Sequence, residues 1–291
     1  MTPYQKLLLA YDGSEGSRIA ASHAAILAKK MGAELRAVWI RSRLPHYPET
    51  IDEIDEEQTA ADEFFKKIAS DLQNVGSMHS IGVRFEMRSG HPARTIIETA
   101  AELGSNLIVL GNRGHSRLWG GFLGHTADRV SDHAPCSVLI VRSTDENAQF
   151  RKMLIGYDGS PGAESALRHS LRLAKQLGAE THVLWIQEPH GLGGHKAKEE
   201  SPEDVAEEHF RVGLLPRIKA IEQAEGVSVE SRFLVGNAAQ SLIAEADKGK
   251  FRIIALGHRG SSGIWGRFLG GVADRVSDSA NCDVLIVRER E

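Results

Sequence analysis

Apolar residues in this chain fall into short unbroken runs separated by longer stretches of helical spacing. Lys6 to Tyr11 is an apolar run closed by Asp12-Gly13-Ser14, which predicts a buried strand followed by a turn. Ser14 or Ser17 can cap the next segment, Ala20 to Lys30, whose apolar residues recur at helical spacing, and Gly32 suits its C-terminal stop. Glu34 to Ile40 reads as a second strand. Residues 58–73 read as an amphipathic helix with Phe64, Phe65, Ile68 and Leu72 on one side, and Ile81 to Met87 alternates as a third strand. Pro92 stands where a helix would begin, ahead of Arg94 to Leu103. Asn106 to Gly111 is a continuous apolar strand, residues 124–132 a helix, and Ser137 to Arg142 a last strand. Strands alternating with helices predict an α/β domain with a parallel sheet covered on both faces. Right-handed crossovers make the sheet doubly wound, with ligands expected beyond the carboxyl ends of its strands.

The same pattern then runs a second time. Tyr11-Asp12-Gly13-Ser14 returns as Tyr157-Asp158-Gly159-Ser160, and Leu27 to Ile40 returns as Leu173 to Ile186. Residues 107–142 return as 253–288, with 24 of the 36 positions identical at a constant offset of 146. A solenoid repeats every 20–50 residues, so this period is a whole domain. Two domains are expected, 1–146 and 147–291, joined by the short polar stretch from Ser143 to Phe150. The copies differ most at 41–60 and 187–206. The first holds Asp52, Glu53, Asp55, Glu56 and Glu57; the second holds His190, Gly191, Gly193, Gly194 and His195. Both stretches are expected to be surface loops leading into a helix.

Composition narrows the classes. With 41% hydrophobic and 25% charged residues in 291, the chain suits an ordinary folded protein rather than a disordered one. Thirty-five basic against 39 acidic residues give a formal charge of -4, which argues against a sequence-independent nucleic-acid binder. No apolar run is long enough to span a bilayer and the first residues do not read as a signal peptide, so a cytoplasmic location and no membrane partner are expected. Cys136 and Cys282 make neither a disulfide framework nor a metal cluster, and both are expected in the core. Among the 13 histidines no pair shows a recognised ligand spacing with a third partner, so no metal site is expected.

The chemistry concentrates after the fourth strand. There the chain reads Gly111-Asn-Arg113-Gly114, nine residues, then Gly124-His125-Thr126 opening a helix. The second copy reads Gly257-His-Arg259-Gly260, nine residues, then Gly270-Gly271-Val272. Glycines permit positive φ and let an anion come close to main-chain N–H groups. Free N–H groups at a helix start, together with the helix dipole, favour phosphate. Arg113 and Arg259 can add charge-assisted hydrogen bonds.

With these motifs in place, the chain resembles the universal stress protein family in its tandem two-domain form. The resemblance rests on the Asp-Gly-Ser turn, the Gly-x2-Gly-x9-Gly loop and the ending Ala134-Pro135-Cys136-Ser137-Val138-Leu139-Ile140-Val141-Arg142. It implies two Rossmann-like (adenine nucleotide alpha hydrolase-like) domains of five parallel strands each, and ATP or another adenine nucleotide, with or without Mg, as the ligand. By that likeness Asp12 and Asp158 face the ribose, and the backbone of Ile40 and Ile186 meets the adenine. Gly111, Gly114, Gly124 and their repeats Gly257, Gly260 and Gly270 hold phosphates. The likeness also implies a pseudo-dimer within one chain, paired through Val138 to Val141 and Val284 to Val287. A homodimer of the whole chain and an unidentified protein partner remain open. One departure stands out. The family pattern has Ser or Thr directly after the third glycine, where this chain has His125 and Gly271. Thr126 comes one residue late to replace that hydroxyl. Gly271 keeps a backbone N–H, which favours the second copy as the nucleotide site.

Plainer readings accompany these. The glycines can simply shape a tight loop, Asp12 and Asp158 can cap their turns, and Arg113 and Arg259 can be solvated. Trp119 and Trp265 read as packing or interface residues, and the acidic run at 52–57 as a solvated face. No Gly-x4-Gly-Lys-Ser/Thr motif, no Gly-x-Gly-x-x-Gly after the first strand and no Gly-x-Ser-x-Gly elbow is present. Near the loop only Asp12, Asp158, Asp128 and Asp274 offer carboxylates. The expected function is therefore nucleotide binding in stress response or signalling without efficient turnover. The alternatives are a slow ATPase at the same site and a scaffold or chaperone-like module that binds no nucleotide.

Overall fold

Each apolar run becomes a parallel strand in the computed structural model, which describes residues 2–41, 51–114, 123–143, 150–188, 201–260 and 269–289. The chain divides into two compact units. The first contains β1 (Lys6–Ala10), α1 (Glu15–Met31), β2 (Glu34–Arg41), α2 (Ile51–His79), β3 (Val83–Ser89), α3 (Pro92–Glu102), β4 (Leu107–Gly111), α4 (His125–His133) and β5 (Ser137–Val141). Its strands lie in the order β3-β2-β1-β4-β5, all parallel. The second unit contains β6 (Lys152–Gly156), α5 (Pro161–Leu177), β7 (Glu180–Gln187), α6 (Pro202–His209), one π-helical turn (Phe210–Leu214) and α7 (Leu215–Glu225). It continues with β8 (Glu230–Val235), α8 (Ala238–Gly249), β9 (Ile253–Gly257), α9 (Gly271–Ser279) and β10 (Asp283–Val287). Its order, β8-β7-β6-β9-β10, repeats the first.

The cores follow from the runs. Leu7, Leu8 and Leu9 of β1, Ile108 and Val109 of β4 and Leu139 and Ile140 of β5 are all buried. Leu154, Ile155, Ile254, Leu285 and Ile286 fill the same places in the second unit. Each such side chain contributes about 1.5–3 kcal/mol by leaving water. Among the described residues no helix is long and apolar enough to cross a membrane.

Caps decide where helices begin. Ser14 accepts a hydrogen bond from Ser17 N, so α1 begins at Glu15, five residues before the periodic apolar pattern. Gly32 ends it in the left-handed region at φ 63°. Pro92 is the first residue of α3, as its fixed φ allows. The third strand lies two residues later than its alternation predicts, over Val83–Ser89. The acidic run does not lie in a loop: α2 already begins at Ile51, because a segment rich in Asp and Glu with no Gly or Pro extends the helix. Ile68 and Leu72 of that helix are buried, and Phe65 stacks on Phe85. In the second unit Ser201 caps α6 at Pro202, inside the stretch expected to be a loop. His190, Gly191, Gly193, Gly194, His195, Trp119, Trp265, most of the joint from Ser143 to Phe150 and the side chains of residues 51–58 lie outside the described residues.

Candidate functional site

Strand order places the site. In each sheet the winding direction reverses between the first and fourth strands, β1 and β4 or β6 and β9. The loops leaving their carboxyl ends separate there and leave a crevice. In the first unit it is a cleft of about 730 Å³, in the second about 520 Å³.

The first cleft gathers Asp12, Ile40, Gly111, Arg113, Gly114, Gly124, His125 and Thr126. The second gathers Asp158, Ile186, Gly257, Arg259, Gly260, Gly270, Gly271 and Val272. Four separate segments of each half thus converge. The sequence alone did not single out several other wall residues: Tyr11, Trp39, Phe64, Pro92 and Ile96 in one cleft, Tyr157, Trp185, His209 and Leu242 in the other. For Tyr11 and Trp39 a signal existed, since both recur 146 residues later as Tyr157 and Trp185. Phe64 and His209 had none, because the helices that carry them differ between the copies.

The turn after the first strand is built around one carboxylate. Ser14 donates to Asp12 Oδ1 from its main-chain N (3.0 Å) and from its hydroxyl (2.5 Å). Ser160 N donates to Asp158 Oδ1 at 3.0 Å. One oxygen therefore secures the turn, the capping role. The other, Oδ2, faces the glycine loop: a Cβ on Gly114 would lie 2.7 Å from Asp12 Oδ2, and one on Gly260 would lie 2.8 Å from Asp158 Oδ2. The same side chain thus both caps its turn and borders the cleft.

The glycines act by close approach rather than by unusual φ. Among the described residues, positive φ in this region belongs to Gly13 (79°) and Gly159 (78°), and to none of the loop glycines. Gly111 is glycine because its Cβ position is 2.6 Å from the carbonyl carbon of Gly16, in the first turn of α1. Gly257 meets Gly162 of α5 in the same way. Two bare backbones therefore let the strand end touch the helix start. Neither Gly16 nor Gly162 stood out in the sequence; their separation of 146 was the available signal.

Gly124 and Gly270 open α4 and α9 at φ -69° and -67°. Their own amides are used: Gly124 N donates to Asn112 O and Gly270 N to His258 O, both at 2.8 Å. No side chain caps either helix. The next residues in each, His125 to Ala127 and Gly271 to Ala273, line the clefts. Uncapped amides at a helix start carry partial positive charge toward whatever fills the cleft.

The surroundings differ. In the first cleft the His125 ring lies 6.4 Å from that of His91, which precedes α3. In the second, the Cβ position of Gly271 has no atom within 4 Å. Trp39 packs edge-on against Phe64 at 5.2 Å, whereas Trp185 packs edge-on against His209 at 5.1 Å and stacks with Phe210. Asn112 of the first loop is replaced by His258. Burial, then Arg288 and Arg259, lowers the His258 pKa to about 4, so the ring is neutral at pH 7. Burial pushes the Tyr157 hydroxyl up to about 12. Arg113 and Arg259 are exposed beside their loops. Both thiols, Cys136 and Cys282, are unbridged and buried in the core.

Two doubly wound sheets, each with a glycine-lined crevice at its winding reversal, define a tandem α/β protein of Rossmann-like architecture. The model of the universal stress protein family matches residues 3–142 and again 149–288, and the chain belongs to that family. It is 31% identical over 250 residues to a universal stress protein of Mycolicibacterium smegmatis, covering 84% of this chain and 81% of that one. It is also 31% identical over 147 residues to universal stress protein YxiE of Bacillus subtilis, covering 48% of this chain and 99% of that one. The crystal structure of a universal stress protein from Archaeoglobus fulgidus shares the fold, with TM-score 0.74, 21% identity and 99% of each chain covered.

Proposed function

We propose that the protein binds an adenine nucleotide, ATP foremost, in one or both clefts, and acts in stress response or signalling without efficient turnover. The observation that carries this reading is the uncapped start of α4 and of α9, each opening beside a glycine loop at the winding reversal. Main-chain amides there suit phosphate oxygens. The apolar walls, with Trp39 and Ile96 in one cleft and Trp185 and Leu242 in the other, suit a base. Asp12 Oδ2 and Asp158 Oδ2, beyond the oxygen that holds the turn, suit ribose hydroxyls. The second cleft is the stronger candidate, since nothing stands at the Cβ position of Gly271.

Magnesium enters this reading only as a companion of the nucleotide. Beside each glycine loop stands one turn carboxylate, Asp12 or Asp158, with Oδ1 already bonded. These residues fit an ion carried by phosphate oxygens and water, which is the usual habit of that cation. The cytoplasm is the compartment this reading implies, with the bound fraction following the ATP supply and a partner protein responding to an ordered loop.

Calorimetric titration of the full chain with ATP, ADP and AMP tests the proposal. Saturable heat with ATP is the expected result, lost in a folded Gly114→Val/Gly260→Val variant. No saturation with any of the three overturns the reading. Phosphate release that is sustained and abolished by Gly260→Val would instead make the protein a slow ATPase.

A further inference from the structure

The amino ends of the strands, opposite the clefts, carry a second cluster of chemistry, found among the described residues in the second domain alone. Glu180 opens β7, His182 follows two residues later on the same face, and Glu230 opens β8 as the register partner of His182. One ligand atom from each lies within 4.8 Å of the others. The His182 side chain is only 8% exposed, while those of Glu180 and Glu230 are 54% and 57% exposed. A buried imidazole thus looks out between two carboxylates that have room to turn.

The imidazole is already oriented. Glu180 Oε1 lies 2.6 Å from His182 Nε2, which places the ring proton on that nitrogen. Phe251 packs edge-on against the ring at 4.9 Å and holds its plane. Nδ1 then carries the lone pair. It is buried, it has no hydrogen-bond partner, and it lies 3.4 Å from Glu230 Oε2. Two ligands on a tetrahedral ion with bonds of about 2.1 Å sit about 3.4 Å apart. A carboxylate on the far nitrogen of a metal-bound imidazole is the common supporting arrangement for such ions. The outer oxygens are spoken for: Glu180 Oε2 lies 3.6 Å from Lys152 Nζ, and Glu230 Oε1 lies 3.4 Å from Arg232 Nε. The oxygens that face the ring are left to complete the cluster.

The first domain supplies an internal control. At an offset of 146 the same three positions are Glu34, Arg36 and Arg84, with Arg36 and Arg84 again register partners. There Glu34 Oε1 accepts from Arg36 Nε at 2.9 Å and from Arg84 at 3.0 Å. One acid between two guanidinium groups satisfies itself. One imidazole between two acids has an unfilled nitrogen facing an oxygen.

We propose that Glu180, His182 and Glu230 form a binding site for a divalent transition cation of the zinc class. His182 Nδ1 and Glu230 ligate the ion, Glu180 positions the ring, and water completes the shell on the exposed side. Nothing in this depends on nucleotide, since the cluster lies at the other end of the strands.

The test is titration of the untagged full chain with Zn²⁺ and with Co²⁺, followed by anomalous scattering from crystals. The expected result is one equivalent of ion at these residues. His182→Arg/Glu230→Arg rebuilds the arrangement the first domain already tolerates and should lose that equivalent. Glu230→Gln should weaken it at least tenfold, and Glu180→Gln by about 10–100-fold, the usual cost of removing a supporting carboxylate. The converse variant, Arg36→His/Arg84→Glu, should gain an equivalent in the first domain. If the double arginine variant binds the same number of ions with the same affinity, or the anomalous signal lies elsewhere, the proposal is overturned. A full chain that takes up neither Zn²⁺ nor Co²⁺ overturns it as well.

Discussion

The two clefts share a backbone and differ in the side chains around it. In both, a turn aspartate, a pair of touching glycines and an uncapped helix start stand in the same relation. Around this common frame the first cleft sets His125 against His91 and offers Asn112, while the second leaves the Cβ position of Gly271 open, and its loop carries a neutral His258 where the first has Asn112. The frame consists of the turn carboxylate and of main-chain contacts between glycines that leave no room for an added Cβ. The lining consists of side chains, which can change without moving the frame. A duplicated domain can therefore keep one site geometry and drift in selectivity.

The comparison breaks most sharply at the glycine loops. Gly260→Val should weaken ATP binding about a hundredfold in the second cleft, since its Cβ would meet Asp158 Oδ2; Gly114→Val should do the same in the first. By calorimetry each should remove one site and spare the other, and loss of both sites from either change alone would show the clefts to be coupled.

A smaller effect is expected at the turns. Alanine at a positive-φ position costs about 1–2 kcal/mol. Gly13→Ala should lower stability by about that amount, its nearest neighbour being the Phe64 ring at 3.5 Å. Gly159→Ala should cost more, because its Cβ would also press on Leu214 at 2.8 Å and displace Arg217, which donates to Gly159 O. Denaturant midpoints of the two variants measure the difference.

Acid should separate the loops next. His258 has a folded pKa of about 4, below its ordinary value of about 6.5. The unfolded chain therefore takes up a proton first as pH falls. Stability from this group is complete above about pH 6.5 and declines toward pH 4. Because the ring is only half buried, the loss is discounted to about 1 kcal/mol. His258→Asn copies the first domain and should flatten that part of the pH profile. An unchanged acid slope in the variant would assign it to another group.

The helix caps should differ least. Ser14→Ala and Ser160→Ala each remove one hydroxyl that accepts from the first turn of a helix, at 3.3 and 3.2 Å. Each should cost about 1 kcal/mol on that account, and Ser14→Ala somewhat more, because its hydroxyl also donates to Asp12 Oδ1. Equal midpoint shifts would show that this second bond adds nothing to the turn.

Much of the frame was readable beforehand because it is local. Asp12-Gly13-Ser14 announces its turn and cap within three residues, and Pro92 and Gly32 mark a helix start and stop through their own φ restrictions. One expectation failed for a local reason as well. The acidic run entered α2 because no Gly or Pro stands between Ile51 and Gly76. The role of Gly111 was not readable, since it lies in Gly16, ninety-five positions away. Nor was the Glu180, His182 and Glu230 cluster, whose members look unrelated until β7 and β8 are in register.

By itself the sequence determined the alternation of strands and helices, the duplication and the family, since periodicity, caps and repeats act between neighbours or by simple likeness. The tertiary structure decided which backbones touch, which wall residues meet and where an imidazole finds two carboxylates. Those depend on strand order and register, set by the burial of whole apolar faces against one another rather than by any short stretch of chain.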